Sequence, residues 1–210
     1  MKDGGKVVTR SQYLQRGIVL EYLTVGWNIV EGVVAVLSGA VSGSIALLGF
    51  GIDSFIETSS GAVLLWRLRA EHRGHEAAQL ERKAQRLVGI SFLVLAVYVA
   101  FDSLKSLMQR EAPERSLVGI GIAIASLLVM PWLAHAKRRA AGALNSGALR
   151  ADSRQTSICA YLAVILLAGL LLNGVLGWWW ADPIAALCML PIILKEGRDA
   201  LQGKACSTCD

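Results

Sequence analysis

The chain has 210 residues, of which 54% are hydrophobic and 18% are charged, with a formal net charge of +5. A soluble domain of this length would carry more charge, and a disordered chain would be far less hydrophobic, so the composition favours a polytopic membrane protein. Because the basic residues lie between long apolar runs and not on one soluble face, nucleic acid is not an expected partner.

Six apolar runs follow one another along the chain, each near the length that a helix needs to cross a bilayer. They lie at 17–37, 43–66, 87–108, 117–135, 155–177 and 183–199. The sequence therefore predicts an all-α membrane protein with a six-helix transmembrane domain at 17–200. A cytoplasmic N-terminal segment is expected at 1–16 and a short cytoplasmic tail at 201–210.

Lysine and arginine are distributed unequally between the two sides of this predicted bundle. Eighteen lie at the termini and in the even-numbered connections, including Lys137 in the fourth connection, and three lie on the other side, Lys105, Arg110 and Arg115. The positive-inside rule then places both termini in the cytoplasm, as expected for a multi-pass protein of the cytoplasmic membrane.

The start of the last helix carries a local capping signal. Asp182 is an acceptor of the type favoured at an N-cap, and Pro183 is a residue favoured at the first helical position. The sequence thus predicts that Asp182 caps the sixth helix.

Ionisable residues at membrane depth are costly and are therefore candidates for function. Asp53 and Glu57 are spaced i, i+4 in the second helix, which places both carboxylates on one face. The fifth helix offers Asp152, Gln155 and Cys159, the last two again spaced i, i+4. Two carboxylates, an amide oxygen and a thiolate would form a four-ligand site for a divalent ion. Alternatively, these groups cap polar neighbours or line a hydrated crevice without binding metal.

The first helix also carries polar residues on a shared face. Glu21, Asn28 and Glu31 have heptad-like spacing. Since Glu31 lies deep in its apolar run, it needs a partner, and we expect an interhelical hydrogen bond or a place on a hydrated path.

Two clusters outside the apolar runs contain metal-binding residue types. His72 and His75 lie among acidic residues around Arg73, and a solvated loop is the preferred interpretation. Cys206 and Cys209 form a CxxC whose sulfurs could reach one soft ion, although a single CxxC is half of a structural zinc site. The tail is either a transient metal collector or an unstructured reduced segment.

Three motifs resemble the cation diffusion facilitator family. Ser44-Ile45-Ala46-Leu47-Leu48 followed by Asp53-x-x-x-Glu57 is similar to that family's second helix, where Ser-Leu-Ala-Leu leads to a His/Asp-x-x-x-Asp metal pair. The segment 151–159 resembles its fifth helix, Ala-Asp-x-x-His-x-x-x-Asp, and Asp182-Pro183 resembles the start of its sixth helix. The similarity extends over about residues 15–200, with the motifs in register with the six helices.

The resemblance implies a homodimeric exporter that exchanges cytoplasmic zinc, cadmium, cobalt, iron or manganese for protons, and not an enzyme. It implies that Asp53 and Glu57 are metal ligands, while Gln155 and Cys159 occupy the places of the family's histidine and aspartate. Glutamine is a weak neutral ligand, so Gln155 either binds or only orients a neighbour, in which case Asp152 would supply an oxygen. A thiolate favours zinc, cadmium or cobalt over magnesium or manganese, and zinc is the expected ion.

Proton coupling would also differ from the family pattern. The fifth-helix histidine of the family titrates near neutrality, and no histidine is expected here at membrane depth. Protons would then exchange on Asp53, Glu57 or Cys159. Typical members carry a soluble, metal-sensing C-terminal domain, and this sequence resembles the branch that lacks it, so dimerisation is expected to rest on the membrane helices.

A different class of function remains open. A non-transporting membrane partner or regulator could retain the scaffold with a degenerate metal site, and Gln155 and Cys159 are the residues that support this alternative. An exporter of organic cations is conceivable but would be expected to have more aromatic lining than the 7% Phe, Trp and Tyr present. An enzyme is not indicated, because no nucleophile–base pair or cofactor motif lies at a plausible depth.

Overall fold

The computed structural model describes residues 10–72, 78–110 and 113–202, and within these ranges the chain forms six α-helices. They are α1 (Arg10–Ser42), α2 (Ile45–His72), α3 (Ala78–Gln109), α4 (Leu117–Leu144), α5 (Gly147–Leu176) and α6 (Ala181–Leu201). The predicted all-α, six-helix architecture is thus confirmed. Among the described residues, four segments are long and apolar enough to cross a membrane: Gln12–Ser42, Gly89–Gln109, Leu117–Leu144 and Asp152–Leu176.

The fourth helix is longer than its apolar run predicted. The prediction ended it at residue 135, whereas α4 continues to Leu144. The added turns are rich in alanine, lysine and arginine, which are good helix formers although they are not all apolar. Lys137 therefore lies inside a helix and not in a connection, and its side chain is fully buried.

A tight connection joins α4 to α5. Asn145 ends α4 in the left-handed region at φ 51°, a conformation that asparagine tolerates better than most residues. The next residue, Ser146, is the N-cap of α5, and its side chain accepts a hydrogen bond from the backbone N–H of Leu149. This connection brings the cytoplasmic ends that were predicted for α4 and α5 side by side.

The prediction that Asp182 caps the sixth helix is wrong. Trp180 is the N-cap of α6 and provides no side-chain hydrogen bond. Asp182 lies in the first turn, where its Oδ2 accepts hydrogen bonds from the backbone N–H groups of Ile45 at 2.8 Å and Ala46 at 3.3 Å. The Ser44 hydroxyl donates to Oδ1 of Asp182 and accepts from the N–H of Leu47. Asp182 therefore satisfies the N-terminal donors of α2, which the local sequence rule could not anticipate.

The helices divide into a group of four and a pair. Helix α1 packs against α2 and α4, and α5 packs against α4 and α2, while α3 and α6 pack mainly on each other and meet α2 and α5. Large apolar residues such as Val41, Met108 and Leu117 are exposed on the outside, as lipid-facing positions are. The polar residues that could carry function face inward within the group of four.

Candidate metal site

One face of α1 is both buried and polar. Glu21, Thr24, Asn28 and Glu31 are all at most 1% exposed and recur with the spacing of a helical stripe. The predicted shared face of Glu21, Asn28 and Glu31 therefore points into the bundle. Buried polar groups are costly without partners. Glu21 and Glu31, at the two ends of this stripe, are therefore expected to meet polar side chains of other helices.

The central cluster consists of Glu31, Asp53, Glu57 and Cys159, from α1, α2 and α5. All four side chains are buried, and Cys159 interacts electrostatically with each of the three carboxyl groups. The Cys159 thiol donates a hydrogen bond to Oε1 of Glu31 over 3.6 Å. The structure thus brings the predicted residues Asp53, Glu57 and Cys159 into one acidic, thiol-containing cluster and adds Glu31 to it.

Neutral side chains donate hydrogen bonds to two carboxylates of this cluster, Glu31 and Glu57. Glu31 accepts from the Ser54 hydroxyl at 3.0 Å and from the indole N–H of Trp27. Glu57 accepts from the Thr156 hydroxyl at 3.0 Å through Oε1, and its buried Oε2 has no hydrogen-bond partner within the described ranges. One carboxylate oxygen is therefore free to bind a cation.

Gln155 lies beside the central cluster but is turned towards α2. Its Oε1 accepts a hydrogen bond from the Ser60 hydroxyl at 3.3 Å, and its Nε2 has no partner among the described residues. The side chain is half-buried. Its oxygen would have to leave Ser60, or be shared with it, in order to bind a metal ion.

The lysine cluster consists of Lys137, Glu21 and Asp152, from α4, α1 and α5. Nζ of Lys137 lies 2.5 Å from Oδ2 of Asp152 and 2.9 Å from Oε2 of Glu21. Lys137 and Glu21 are fully buried and Asp152 is 6% exposed. Asp152, a predicted oxygen donor for the metal, is therefore ion-paired in this conformation.

The two clusters meet at Thr156. Nζ of Lys137 donates to Oγ1 of Thr156 over 3.5 Å, and that hydroxyl contacts Glu57. The positive charge of Lys137 attracts the Glu57 carboxylate, and the negative charge of Asp152 repels it.

In the described part of the chain, no three histidine, cysteine or acidic side chains converge in a geometry that could already hold a metal ion. Coordination would therefore need side-chain rearrangement within the central cluster.

Comparison with known proteins decides the family. The cation efflux transmembrane domain matches residues 22–202 of this chain. The chain belongs to the cation efflux family.

Individual relatives show the extent of the likeness. Over 179 residues the chain is 30% identical to an uncharacterized transporter of Synechocystis sp., covering 81% of this chain and 57% of that protein. It is 27% identical over 177 residues to the cation-efflux pump FieF of Shewanella oneidensis, covering 79% and 58%. It is 22% identical over 186 residues to Transmembrane protein 163 of Xenopus laevis, covering 88% and 66%. The chain thus spans less than two thirds of the length of each of these relatives.

The whole central cluster lies within the segment that matches the cation efflux domain, whereas Glu21 of the lysine cluster lies one residue before it. The sequence prediction did not recognise Lys137, because a charge at the end of an apolar run was assigned to a connection. The continuing helix-forming residues 136–144 were the signal that could have placed it in α4.

Histidine does not contribute to either cluster in the described residues. His135 lies on α4 with an exposed side chain. The other two predicted clusters fall elsewhere: His75, Cys206 and Cys209 lie outside the described residues, as does the side chain of His72.

Proposed function

We propose that this member of the cation efflux family exports a divalent metal ion, zinc in the first place, and that the central cluster binds the ion during transport. The observation that carries the proposal is the charge balance of this cluster. Glu31, Asp53 and Glu57 are buried together, and none of them forms an ion pair with lysine, arginine or histidine within the described ranges. Buried carboxylates without a cation are unfavourable, so a metal ion or protons must compensate them.

The proposed ligands are Asp53, Glu57 and Cys159, with the amide oxygen of Gln155 as a weaker fourth donor. A thiolate next to carboxylates suits zinc, cadmium or cobalt better than magnesium or manganese. The Glu57 oxygen without a hydrogen-bond partner supports this assignment, because it can accept a metal ion without breaking an existing contact.

Proton exchange follows from the same ligands. Carboxylates and thiols bind metal in their deprotonated forms, so metal uptake releases protons and protonation favours metal release. We propose that Asp53, Glu57 and Cys159 carry the counter-transported protons. The exposed His135 does not face the cluster and has no place in this exchange.

The membrane arrangement is part of the proposal. Without Lys137, seventeen basic residues remain on one predicted side and three on the other, which supports cytoplasmic termini. A homodimer in the cytoplasmic membrane, contacting lipid through its apolar faces, is the proposed assembly.

Reconstitution tests the proposal directly. Purified protein in liposomes containing a zinc-sensitive dye should show zinc flux that increases with an imposed proton gradient. Asp53→Asn should abolish the flux, because it removes an anionic ligand from the central cluster. Asp102→Asn is the matched control, since Asp102 lies near the C-terminal end of α3 and accepts a hydrogen bond from Tyr98 of the same helix.

Two results would contradict the proposal. Flux that is unchanged in Asp53→Asn would remove the central cluster from the transport path. Stoichiometric zinc binding without flux in the wild-type protein would favour a non-transporting partner, for which the engaged oxygen of Gln155 is the supporting observation.

A further inference from the structure

Lys137 occupies an unusual position for a lysine. Its side chain is fully buried between α1, α4 and α5, and Nζ lies within 2.9 Å of carboxylate oxygens from both Glu21 and Asp152. A buried ammonium requires compensation of this kind, since its removal from water is strongly unfavourable. Lys137 is therefore a fixed cation within the bundle.

Asp152 lies on the same helix as the proposed ligands Gln155 and Cys159. It lies on α5, seven residues before Cys159, and it interacts electrostatically with Glu57. Its Oδ2 binds Lys137, while its buried Oδ1 has no hydrogen-bond partner in the part of the chain described. The contact with Lys137 is thus what orients a carboxylate that lies near the proposed ligands.

A second contact extends this orientation to a ligand. Lys137 donates to the Thr156 hydroxyl, and Thr156 in turn contacts Oε1 of Glu57. Nζ of Lys137 therefore contacts Asp152 directly and reaches Glu57 only through Thr156. Contacts behind the ligands commonly change metal affinity by about 10–100-fold.

We propose that Lys137 determines metal specificity by holding Asp152 away from the transported ion. The inference rests on the proposed function of the central cluster. With Asp152 withheld, the site keeps its thiolate-containing ligand set and its preference for zinc. With Asp152 released, a further carboxylate oxygen reaches the site and favours manganese, which prefers oxygen ligands.

The test uses a variant that conserves charge. Lys137→Met combined with Glu21→Gln removes one positive and one negative charge, so the net charge of the lysine cluster is unchanged while Asp152 loses its partner. Zinc and manganese affinities of the full-length protein in detergent are measured by titration calorimetry. We expect the manganese-to-zinc affinity ratio to increase by about tenfold, as expected for a changed contact behind the ligands.

Three further variants make the outcome specific. The lost contact between Lys137 and Thr156 should lower both affinities together, so adding Asp152→Asn to the double variant should return the manganese-to-zinc ratio to near its wild-type value. A purely structural role of Lys137 would not produce this return. Lys137→Arg retains a cation beside Asp152 and should leave the ratio unchanged. In the otherwise wild-type chain, Asp152→Asn should also leave the ratio unchanged, a measurement that does not depend on the folding of the double variant.

The failures of the two proposals are distinguishable. If the double variant keeps the wild-type ratio, or if Asp152→Asn alone changes the ratio by tenfold or more, the role of Lys137 is overturned while the metal site stands. If Asp53→Asn leaves zinc affinity unchanged, the metal site itself is misassigned and the role of Lys137 is overturned with it.

Discussion

The central cluster and the lysine cluster contain the same kind of group in the same surroundings. Both place buried carboxylates between α1, α2, α4 and α5, and both draw one acid from α1. The lysine cluster contains its own cation, whereas the carboxylates Glu31 and Glu57 of the central cluster accept hydrogen bonds from neutral side chains, among them Ser54 and Thr156. Burial alone therefore does not separate a structural acid from a functional one.

The group that each acid contacts distinguishes a structural acid from a functional one. An ammonium group attached to α4 pairs with both Glu21 and Asp152 and joins three helices in doing so. Hydroxyl and indole donors satisfy part of the hydrogen-bonding capacity of Glu31 and Glu57 but supply no positive charge. An exchangeable cation is thus expected in the central cluster and a fixed one in the lysine cluster.

The largest effect is expected from Lys137→Met. It leaves Glu21 and Asp152 buried together without their cation, and breaking a buried pair in this way typically costs about 3–5 kcal/mol of folding free energy. Thermal unfolding in detergent, followed by circular dichroism, should show a strongly destabilised protein. Arg138→Met is the neighbouring control, because Arg138 is exposed, and should unfold close to the wild-type temperature. Equal unfolding temperatures for the two variants would contradict a stabilising lysine cluster.

Sequence reasoning accounted for the architecture because the length and polarity of each apolar run are local properties. It placed Asp53 and Glu57 on one face, since their spacing is local too. It could not place Lys137, because hydropathy does not distinguish a lysine in a connection from one whose partners lie on other helices. Only the tertiary structure shows Glu21 and Asp152 around it.

Partners on another helix also explain why the role predicted for Asp182 was wrong. A rule for helix starts assigned this residue to its own helix, but the donors that it satisfies belong to residues 45 and 46. The contact between Thr156 and Glu57 likewise joins positions 99 residues apart in the sequence. Motif spacing identified the acids of the candidate site, while the groups that orient those acids required the packing of α1, α4 and α5.

A second prediction concerns the chemistry of the central cluster. Cys159→Ser retains a hydroxyl donor towards Glu31 but removes the thiolate, so cadmium should lose more affinity than zinc. We expect the cadmium-to-zinc affinity ratio to fall by roughly tenfold or more in competition titrations, since cadmium is the softer ion. Cys188→Ser is the matched control, because Cys188 is exposed on α6. An unchanged ratio in Cys159→Ser would exclude the sulfur from the ligand set.

A third prediction separates stability from metal binding. Asp182→Asn weakens the cap of α2 by removing a charged acceptor from two backbone N–H groups and a hydroxyl. Loss of such a cap typically costs about 1–2 kcal/mol of folding free energy. The unfolding temperature should fall, and zinc affinity measured well below that temperature should remain unchanged. A loss of affinity without a loss of stability would show that Asp182 acts on the central cluster and not on the end of α2.

The smallest effect is expected from Ser60→Ala, which tests the boundary of the central cluster at Gln155. Ser60 donates to the amide oxygen of Gln155, so its removal frees that oxygen for the metal ion. A neutral hydrogen bond contributes about 0.5–1.5 kcal/mol net, and zinc affinity should therefore rise by about threefold if Gln155 is a ligand. Ser59→Ala is the control, because the Ser59 hydroxyl bonds to the carbonyl of Phe55 within its own helix. If Ser60→Ala and Ser59→Ala give the same affinity, the oxygen of Gln155 does not bind the ion. The ligand set would then reduce to the acids and the thiol that have no cation of their own.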